Sequence, residues 1–365
     1  MLFFSEFDRI LFLAPHPDDE SLGGGGLLQR AFSAQIPARV LFATNGDNNP
    51  WAQRFWERRW NIGLHERERW GKRRQQEALA AIAALGGSPE CARFLDFPDQ
   101  GITSLLMRSV PEFITALADE IRAFNPSILV IPAAFDAHPD HSALCVAVSF
   151  ALNSIGNPDI KVLEYLVHRP ELGIQRRSLM LGLSSSEIER KRNAICRHET
   201  QVALGANRFL RFAKAEETFY QHAAIGAAAD PGPIIKAQMH EDVLNLVIGT
   251  RRRERFGTEI LLAFRSETAE MHRWRVAVSM LSGAAQIKDA INGNRLHDAF
   301  ATWGSSSLTI GVPIIGASAL NALFVKLSSW TLFFDRSGWY QVPVTSNRSV
   351  ETRPLETASI IDSWA

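Results

Sequence analysis

Short runs of consecutive apolar residues, each cut off by a polar loop, alternate with longer segments of helical periodicity through the first part of the chain. Arg9 to Ala14 (RILFLA) is stopped by the polar stretch Pro15 to Glu20, and the residues from Leu22 onward read as a helix entered through glycines. Arg39 to Thr44 (RVLFAT) and Ser127 to Pro132 (SILVIP) repeat the theme, and Lys161 to His168 (KVLEYLVH) suits a further strand. Helical periodicity is clearest in Arg73 to Leu85, which stops at Gly86-Gly87. It returns in Val110 to Phe124, ending before Asn125-Pro126, and in Ser186 to His198, with Ser184 to Ser186 as the capping stretch. Strands alternating with helices predict βαβ units and a mostly parallel sheet with flanking helices.

The alternation fades after about Ala223. Ala223 to Pro233 (AAIGAAADPGP) is rich in small residues, Pro and Gly, as expected of a linker. Beyond it, Glu259 to Arg265, Trp274 to Met280, Leu308 to Ile314, Ala322 to Leu327 and Thr331 to Phe334 are short β-prone segments between turn residues. The pattern predicts an α/β unit over residues 1–225, then a linker and a smaller β-rich, sandwich-like domain over 226–365. A chain of 365 residues agrees with that division, because it exceeds the length at which one core usually stops growing.

Charge narrows the function only a little. Lys plus Arg and Asp plus Glu both number 39, which removes the global electrostatic argument for a nucleic-acid binder. The three cysteines, Cys91, Cys145 and Cys196, are widely spaced and form no CxxC pair. Glu6, Asp8 and Arg9 interrupt the apolar start, and no apolar run reaches the roughly 18 residues of a membrane span. These features predict a soluble protein of the reducing cytoplasm.

Candidate chemistry sits directly after two of the expected strands, where open α/β sheets place their ligand sites. His16-Pro17-Asp18-Asp19-Glu20 follows the first, with His16 and Asp19 three apart across a proline-stiffened turn, close enough to aim at one ion about 2 Å away. His138-Pro139-Asp140-His141 follows another. Two histidines and one carboxylate with an open fourth position is a ligand set of catalytic zinc, which lowers the pKa of water to about 7 and leads to hydrolysis. Either cluster by itself reads equally as a turn whose aspartates cap the next helix. Spacing does not choose between His138 and His141 as ligand. His65, His168, His222, His240, His272 and His297 stand alone in the sequence and read as structural or exposed.

These residues resemble the PIG-L/LmbE-like deacetylases, zinc-dependent de-N-acetylases of glucosaminyl compounds. PHPDDE at Pro15 to Glu20, TNGD at Thr44 to Asp47, RxxE at Arg74 to Glu77, HPDH at His138 to His141 and HxTQ at His198 to Gln201 follow the family's order. The resemblance implies a Rossmann-like sheet and Zn²⁺ held by His16, Asp19 and His141. It further implies a general base at Asp18, an assisting role for protonated His138 near the developing oxyanion, and Asp140 orienting an imidazole. The implied activity is hydrolysis of an N-acetyl group on an amino-sugar saccharide or glycoconjugate. The competing readings are a zinc amidase or esterase on a non-sugar substrate and a catalytically silent glycan-binding protein.

Arg74 matches a substrate-contact position of the resembling family, and its alternative is a solvated helix face. Asp47 reads as a sugar contact or a strand end, and His198 as a pocket residue or a helix cap. Gly23 to Gly26 lacks the remainder of a nucleotide-binding signature, and close packing of a helix on the sheet explains it. The segment from Asp47 to Arg74 departs from the pattern, with Trp51, Trp56, Trp60 and Trp70 among Arg54, Arg58, Arg59, Arg67, Arg69 and Arg73. It reads as a lid meeting sugar faces and a phosphate, or as an amphipathic helix packing its tryptophans on the core. The C-terminal part carries Arg251-Arg252-Arg253, Trp274, Trp303, Trp330 and Trp339 without a catalytic cluster.

Overall fold

The computed structural model describes residues 5–108, 110–156, 158–168, 177–222, 233–249, 258–266, 270–279, 281–314, 320–328 and 338–342. Residues 223–232 of the expected linker, Arg251 to Arg253, Met280, Trp330 and the strand expected at Thr331 to Phe334 lie outside these residues.

The N-terminal part runs β1 (Ile10–Ala14), α1 (Asp19–Ser33), β2 (Ala38–Thr44), α2 (Pro50–Glu57), α3 (Leu64–Leu85), β3 (Ala92–Phe97), α4 (Ile102–Arg108) and α5 (Val110–Phe124). It continues through β4 (Ile128–Pro132), α6 (Pro139–Ser154), β5 (Lys161–Tyr165), β6 (Ser178–Gly182), α7 (Ser185–Arg197), α8 (Glu199–Val202), α9 (Ala206–Leu210) and β7 (Glu216–Gln221). Its sheet has the order β3-β2-β1-β4-β5-β7-β6. The pairs from β3 to β5 are parallel, and β7 joins β5 and β6 antiparallel. This is the expected Rossmann-like arrangement. Helices cover both faces, so β1 and β4 are buried at every position and read as unbroken apolar runs.

Leu27 and Leu28 of α1, Ala78 and Ile82 of α3 and Ile195 of α7 share one core. On the opposite face, Leu106 of α4, Leu117 of α5 and Leu144 of α6 share another. Gly24 lets α1 lie directly on the sheet, since a Cβ there would run into the Phe12 ring of β1. Ser184 caps α7 through the backbone N–H of Glu187, whose carboxylate accepts the Ser184 N–H in return. Two helices start earlier than periodicity predicts. α1 begins at Asp19, because its acidic first turn is favoured by the helix dipole, and α3 begins at Leu64, so most of the Trp/Arg-rich segment is helical.

The remaining strands are β8 (Ile234–His240), β9 (Val243–Gly249), β10 (Glu259–Ser266), β11 (Met271–Ala277), β12 (Gly283–Asp289), β13 (Arg295–Trp303), β14 (Ser307–Pro313), β15 (Leu320–Ser328) and β16 (Tyr340–Gln341). They form one nine-stranded antiparallel sheet, ordered β16-β15-β10-β11-β12-β13-β14-β9-β8, that wraps a core of its own. Strand β10 faces two cores. Ile260, Leu262 and Phe264 point into the β-rich core, while Leu261 and Ala263 join Ala322, Phe324 and Trp339 against the α4–α6 face of the first unit. Among the described residues, no helix is long and apolar enough to cross a membrane.

Candidate active site and metal centre

Strands β1 and β4 are neighbours at the point where the strand order reverses. The loops at their carboxyl ends open into the crevice there, which is why His16 to Glu20 and His138 to His141 converge from positions far apart in the sequence. Asp18 is the residue that turns the chain from β1 into α1, and it does so at φ 139°, a conformation costly for any residue but glycine.

Asp19 stands between two imidazoles, its Oδ2 lying 3.2 Å from His16 Nδ1 and 3.1 Å from His141 Nε2. Two atoms held about 2.0–2.2 Å from one tetrahedral ion lie about 3.3–3.6 Å apart, so both separations stand within about 0.2 Å of the spacing around a shared cation. His141 is fully buried with no hydrogen bond at either ring nitrogen, which fits a ligand rather than a structural histidine. Carboxylates surround the pair. Asp136 Oδ2 lies 3.3 Å from His141 Nδ1, while Asp99 Oδ1 and Asp140 Oδ2 lie 3.1 and 3.3 Å from His16 Nε2. Burial opposes charge on His141, yet Asp19 and Asp136 raise it to about 9. Burial likewise opposes charge on His16, and Asp99, Asp140 and Asp19 hold it well above the usual imidazole value. The cradle is built for positive charge, which a divalent cation brings as its histidine ligands give up their protons.

Asp140 is itself fixed by the backbone N–H groups of Gln100 and Ile102, at 2.7 and 3.1 Å. His138 caps α6, its Nδ1 accepting the Asp140 N–H at 3.2 Å. Burial, with His16 and His141 nearby, holds His138 well below the usual imidazole value. Burial pushes the Asp18 carboxyl up to about 6, against the pull of Arg74.

Arg74 is buried, and the alternative of a solvated helix face is thereby excluded. Its guanidinium donates to Asp18 Oδ2 at 3.0 Å, to Gly46 O at 3.1 Å and to Pro17 O. Asp47 accepts from the Asp99 N–H at 3.4 Å, and His198 closes α7 with its Nε2 2.8 Å from Glu20 Oε1. Neither lines the cavity. That cavity measures about 340 Å³, and His16, Asp18, Asp19, His138 and His168 form its floor. Trp51, Arg74, Leu204, Arg208 and Phe209 also line it.

His168 does not stand alone, contrary to the sequence reading. It follows β5, its ring lies 5.0 Å from that of His138 and 4.5 Å from that of His141, and its Nδ1 lies 3.4 Å from Asp136 Oδ1. The strand-end rule that marked the two motifs also applied after β5. Asp136 and Asp99 were missed as well. Asp136 shares the β4 loop with the HPDH motif, whereas Asp99 follows β3, a strand with no clear apolar run. A further group, Cys145, Glu164 and His222, lies within ligand spacing elsewhere, and the 2.6 Å hydrogen bond from His222 Nδ1 to Glu164 accounts for that buried carboxylate.

The Trp/Arg-rich segment packs only part of its tryptophans on the core. Trp70 is fully buried against the core, whereas Trp51 and Trp60 are 59% and 83% exposed.

Residues 11–152 match the family model described as PIG-L, GlcNAc-PI de-N-acetylase. The chain is 30% identical over 147 residues to a 1D-myo-inositol 2-acetamido-2-deoxy-alpha-D-glucopyranoside deacetylase of Mycobacterium sp. (strain KMS), covering 36% of this chain and 46% of the relative. The enzyme of the same name from Rhodococcus erythropolis is 29% identical over 148 residues, covering 36% of this chain and 49% of the relative. The match thus spans about half the length of these relatives. Among solved structures, the N,N'-diacetylchitobiose deacetylase of Pyrococcus horikoshii aligns with TM-score 0.46 at 19% identity, covering 59% of this chain and 84% of that one. A conserved protein of Thermus thermophilus aligns with TM-score 0.46 at 22% identity, covering 61% and 98%. Residues 11–152, which carry both histidine motifs, are thus similar to the PIG-L family.

Proposed function

We propose that this protein is a zinc-dependent hydrolase that removes the N-acetyl group from an amino sugar, giving acetate and a free amine. The observation that carries the reading is the meeting of Asp19 with His16 and His141, at 3.2 and 3.1 Å, beside the buried carboxylate of Asp18. The names of the relatives agree with an N-acetylglucosaminyl substrate. A cavity of about 340 Å³ lies at the small end of ligand sites, about 300–1,000 Å³, and suits one sugar ring. The unpaired cysteines suit a reducing cytoplasm.

His16, Asp19 and His141 would hold the metal, which when bound supplies a Lewis acid that polarises the amide carbonyl and makes water acidic enough to attack near neutral pH. Asp18 takes the proton of the attacking water. Arg74 engages its Oδ2, which leaves Oδ1 as the accepting atom, and a carboxyl raised toward 6 is a fitting base at neutral pH. The Nδ1 of His138 accepts the Asp140 N–H, so the neutral ring carries its hydrogen on Nε2. That N–H stabilises the negative charge growing on the carbonyl oxygen, and the role falls to a neutral donor instead of the imidazolium expected from the resemblance. Protonated Asp18 then passes its proton to the departing amine. Asp140 steadies His16, Asp136 steadies His141, and Arg74 positions Asp18. Asp47 and His198 support the walls of the site from behind.

The test is amine release from a panel of N-acetylglucosaminyl compounds, free and phosphate-bearing, by zinc-loaded protein. Release that Asp18→Asn abolishes while metal content is retained supports the proposal. Turnover confined to amides or esters without a sugar would overturn the substrate class.

A further inference from the structure

An aspartate at the head of a helix ordinarily folds its carboxylate onto the backbone N–H of the second or third helical residue. Asp18 heads α1 and makes no such bond. At φ 139° and ψ −28° its side chain instead lines the cavity, where Arg74 meets Oδ2 at 3.0 Å. The Asp18 carbonyl still starts the helix, accepting the N–H groups of Ser21 and Leu22 at 3.0 and 2.9 Å. A residue other than glycine keeps a backbone of this kind only where its surroundings over-determine it.

Glu20 supplies the hold. Its Oε2 accepts the Asp18 N–H at 3.0 Å, so it does from the second helical position what the glutamate of a capping box does from the third. Glu20 is fully buried, and its Oε1 is fixed in turn by the Ser21 hydroxyl at 2.6 Å and by His198 Nε2 at 2.8 Å. His198 stands where α7 passes into α8, and the residues after it lock that corner to α3. There Glu77 accepts the Thr200 backbone N–H at 3.0 Å and the Thr200 hydroxyl at 2.6 Å. Glu77 lies one turn along α3 from Arg74. The guanidinium that grips the Asp18 side chain and the imidazole that backs the partner of its N–H thus belong to one frame. We propose that Glu20, backed by His198, is a positioning residue that keeps Asp18 off the end of α1 and turned to the cavity. The conformation of Asp18 does not depend on the deacetylase reading, whereas the effect on turnover rests on it.

The experiment sets Glu20→Met and the smaller Glu20→Ala, which remove the acceptor of the Asp18 N–H, against Glu20→Gln, which keeps one. Each full-length variant is crystallised, and its zinc content and steady-state kinetics on an N-acetylglucosaminyl compound are measured. Without the acceptor, Asp18 is expected to return to an ordinary N-cap backbone with its carboxylate on the Ser21 N–H. In both acceptor-free variants kcat should fall about 10- to 100-fold, the equivalent of one charge-assisted hydrogen bond, with KM within about two-fold and zinc content unchanged. Glu20→Gln should recover most of that loss and keep Asp18 in place. An Asp18 backbone still at positive φ with its carboxylate in the cavity of the acceptor-free variants would overturn the positioning role. So would a loss of turnover as large in Glu20→Gln as in Glu20→Met, or a loss that follows zinc content. Wild-type protein that releases no amine, with Asp18 displaced in the acceptor-free variants, would leave the positioning standing and remove the deacetylase reading.

Discussion

Asp136 Oδ2 stands 3.3 Å from His141 Nδ1, on the far side of the ring from Asp19. Asp136 is fully buried and also accepts the backbone N–H groups of His138, Val167 and His168, at 2.8, 3.1 and 3.2 Å. One carboxylate thus ties the loops after β4 and β5 to the orientation of one imidazole. Replacing Asp136 by Asn keeps the shape and removes the charge. Zinc affinity, measured by competition with a chromogenic chelator, should fall about 10- to 100-fold. Unchanged affinity would remove Asp136 from the support of the ligand.

Arg74 satisfies the carbonyls of Pro17 and Gly46 and the carboxylate of Asp18 with one planar fork. A lysine keeps the charge but cannot reach all three acceptors. Arg74→Lys is expected to lower kcat about 10- to 100-fold, the equivalent of one charge-assisted hydrogen bond, with a smaller change in KM. Steady-state kinetics on a soluble substrate decides it, and a loss confined to KM would instead make Arg74 a substrate contact.

The β-rich unit meets the catalytic loop at a tight contact. Trp339 N–H donates to Ala134 O at 2.7 Å, and a Cβ on the preceding Gly338 would collide with that same oxygen. Buried Lys326 approaches Ser142 Oγ at 3.4 Å in the same seam. Gly338→Ala should cost about 1–3 kcal/mol in urea unfolding and lower activity with it. Phe300→Ser, at a side chain 72% exposed, should change stability by less than about 0.5 kcal/mol.

Glu187 gives a pH-dependent prediction away from the site. Hydrogen bonding from Arg30 holds its carboxyl at about 2, below the ordinary 4.5. A carboxylate depressed by folding contributes stability that is fully present above 4.5 and fades as pH falls through 2. Both side chains are partly exposed to solvent, at 35% and 20%, so the contribution of the pair is less than about 1 kcal/mol. Glu187→Gln should lower the urea midpoint slightly at pH 7, and the gap should close between pH 4.5 and pH 2. A gap that persists at pH 2 would assign the effect to packing.

The parallel sheet and both histidine motifs were legible because they depend on local signals. Unbroken apolar runs mark strands buried on two faces, and a polar loop after each marks the open end of the sheet. Arg74 and His168 were harder, because their roles depend on what faces them: Arg74 sits among Lys72, Arg73, Gln75 and Gln76, which are half-buried or exposed, and His168 has no motif around it. Strands β12 and β13 escaped notice because their buried positions are largely alanines at alternate places, as in Ala285, Ala299 and Ala301, which carry little β signal. The two-faced β10 read correctly as a strand, but nothing in its composition tells that Leu261 and Ile260 belong to different cores.

The central claim is that His16, Asp19 and His141 hold the metal on which amide hydrolysis depends. The most direct measurement is amine release from an N-acetylglucosaminyl compound as Zn²⁺ is titrated into chelator-stripped protein, alongside His16→Ala, Asp19→Ala and His141→Ala. Activity in the wild type should rise to a plateau at one equivalent, and each variant should stay inactive at that level. Full activity in the stripped protein, or recovery of all three variants at one equivalent, would contradict the account.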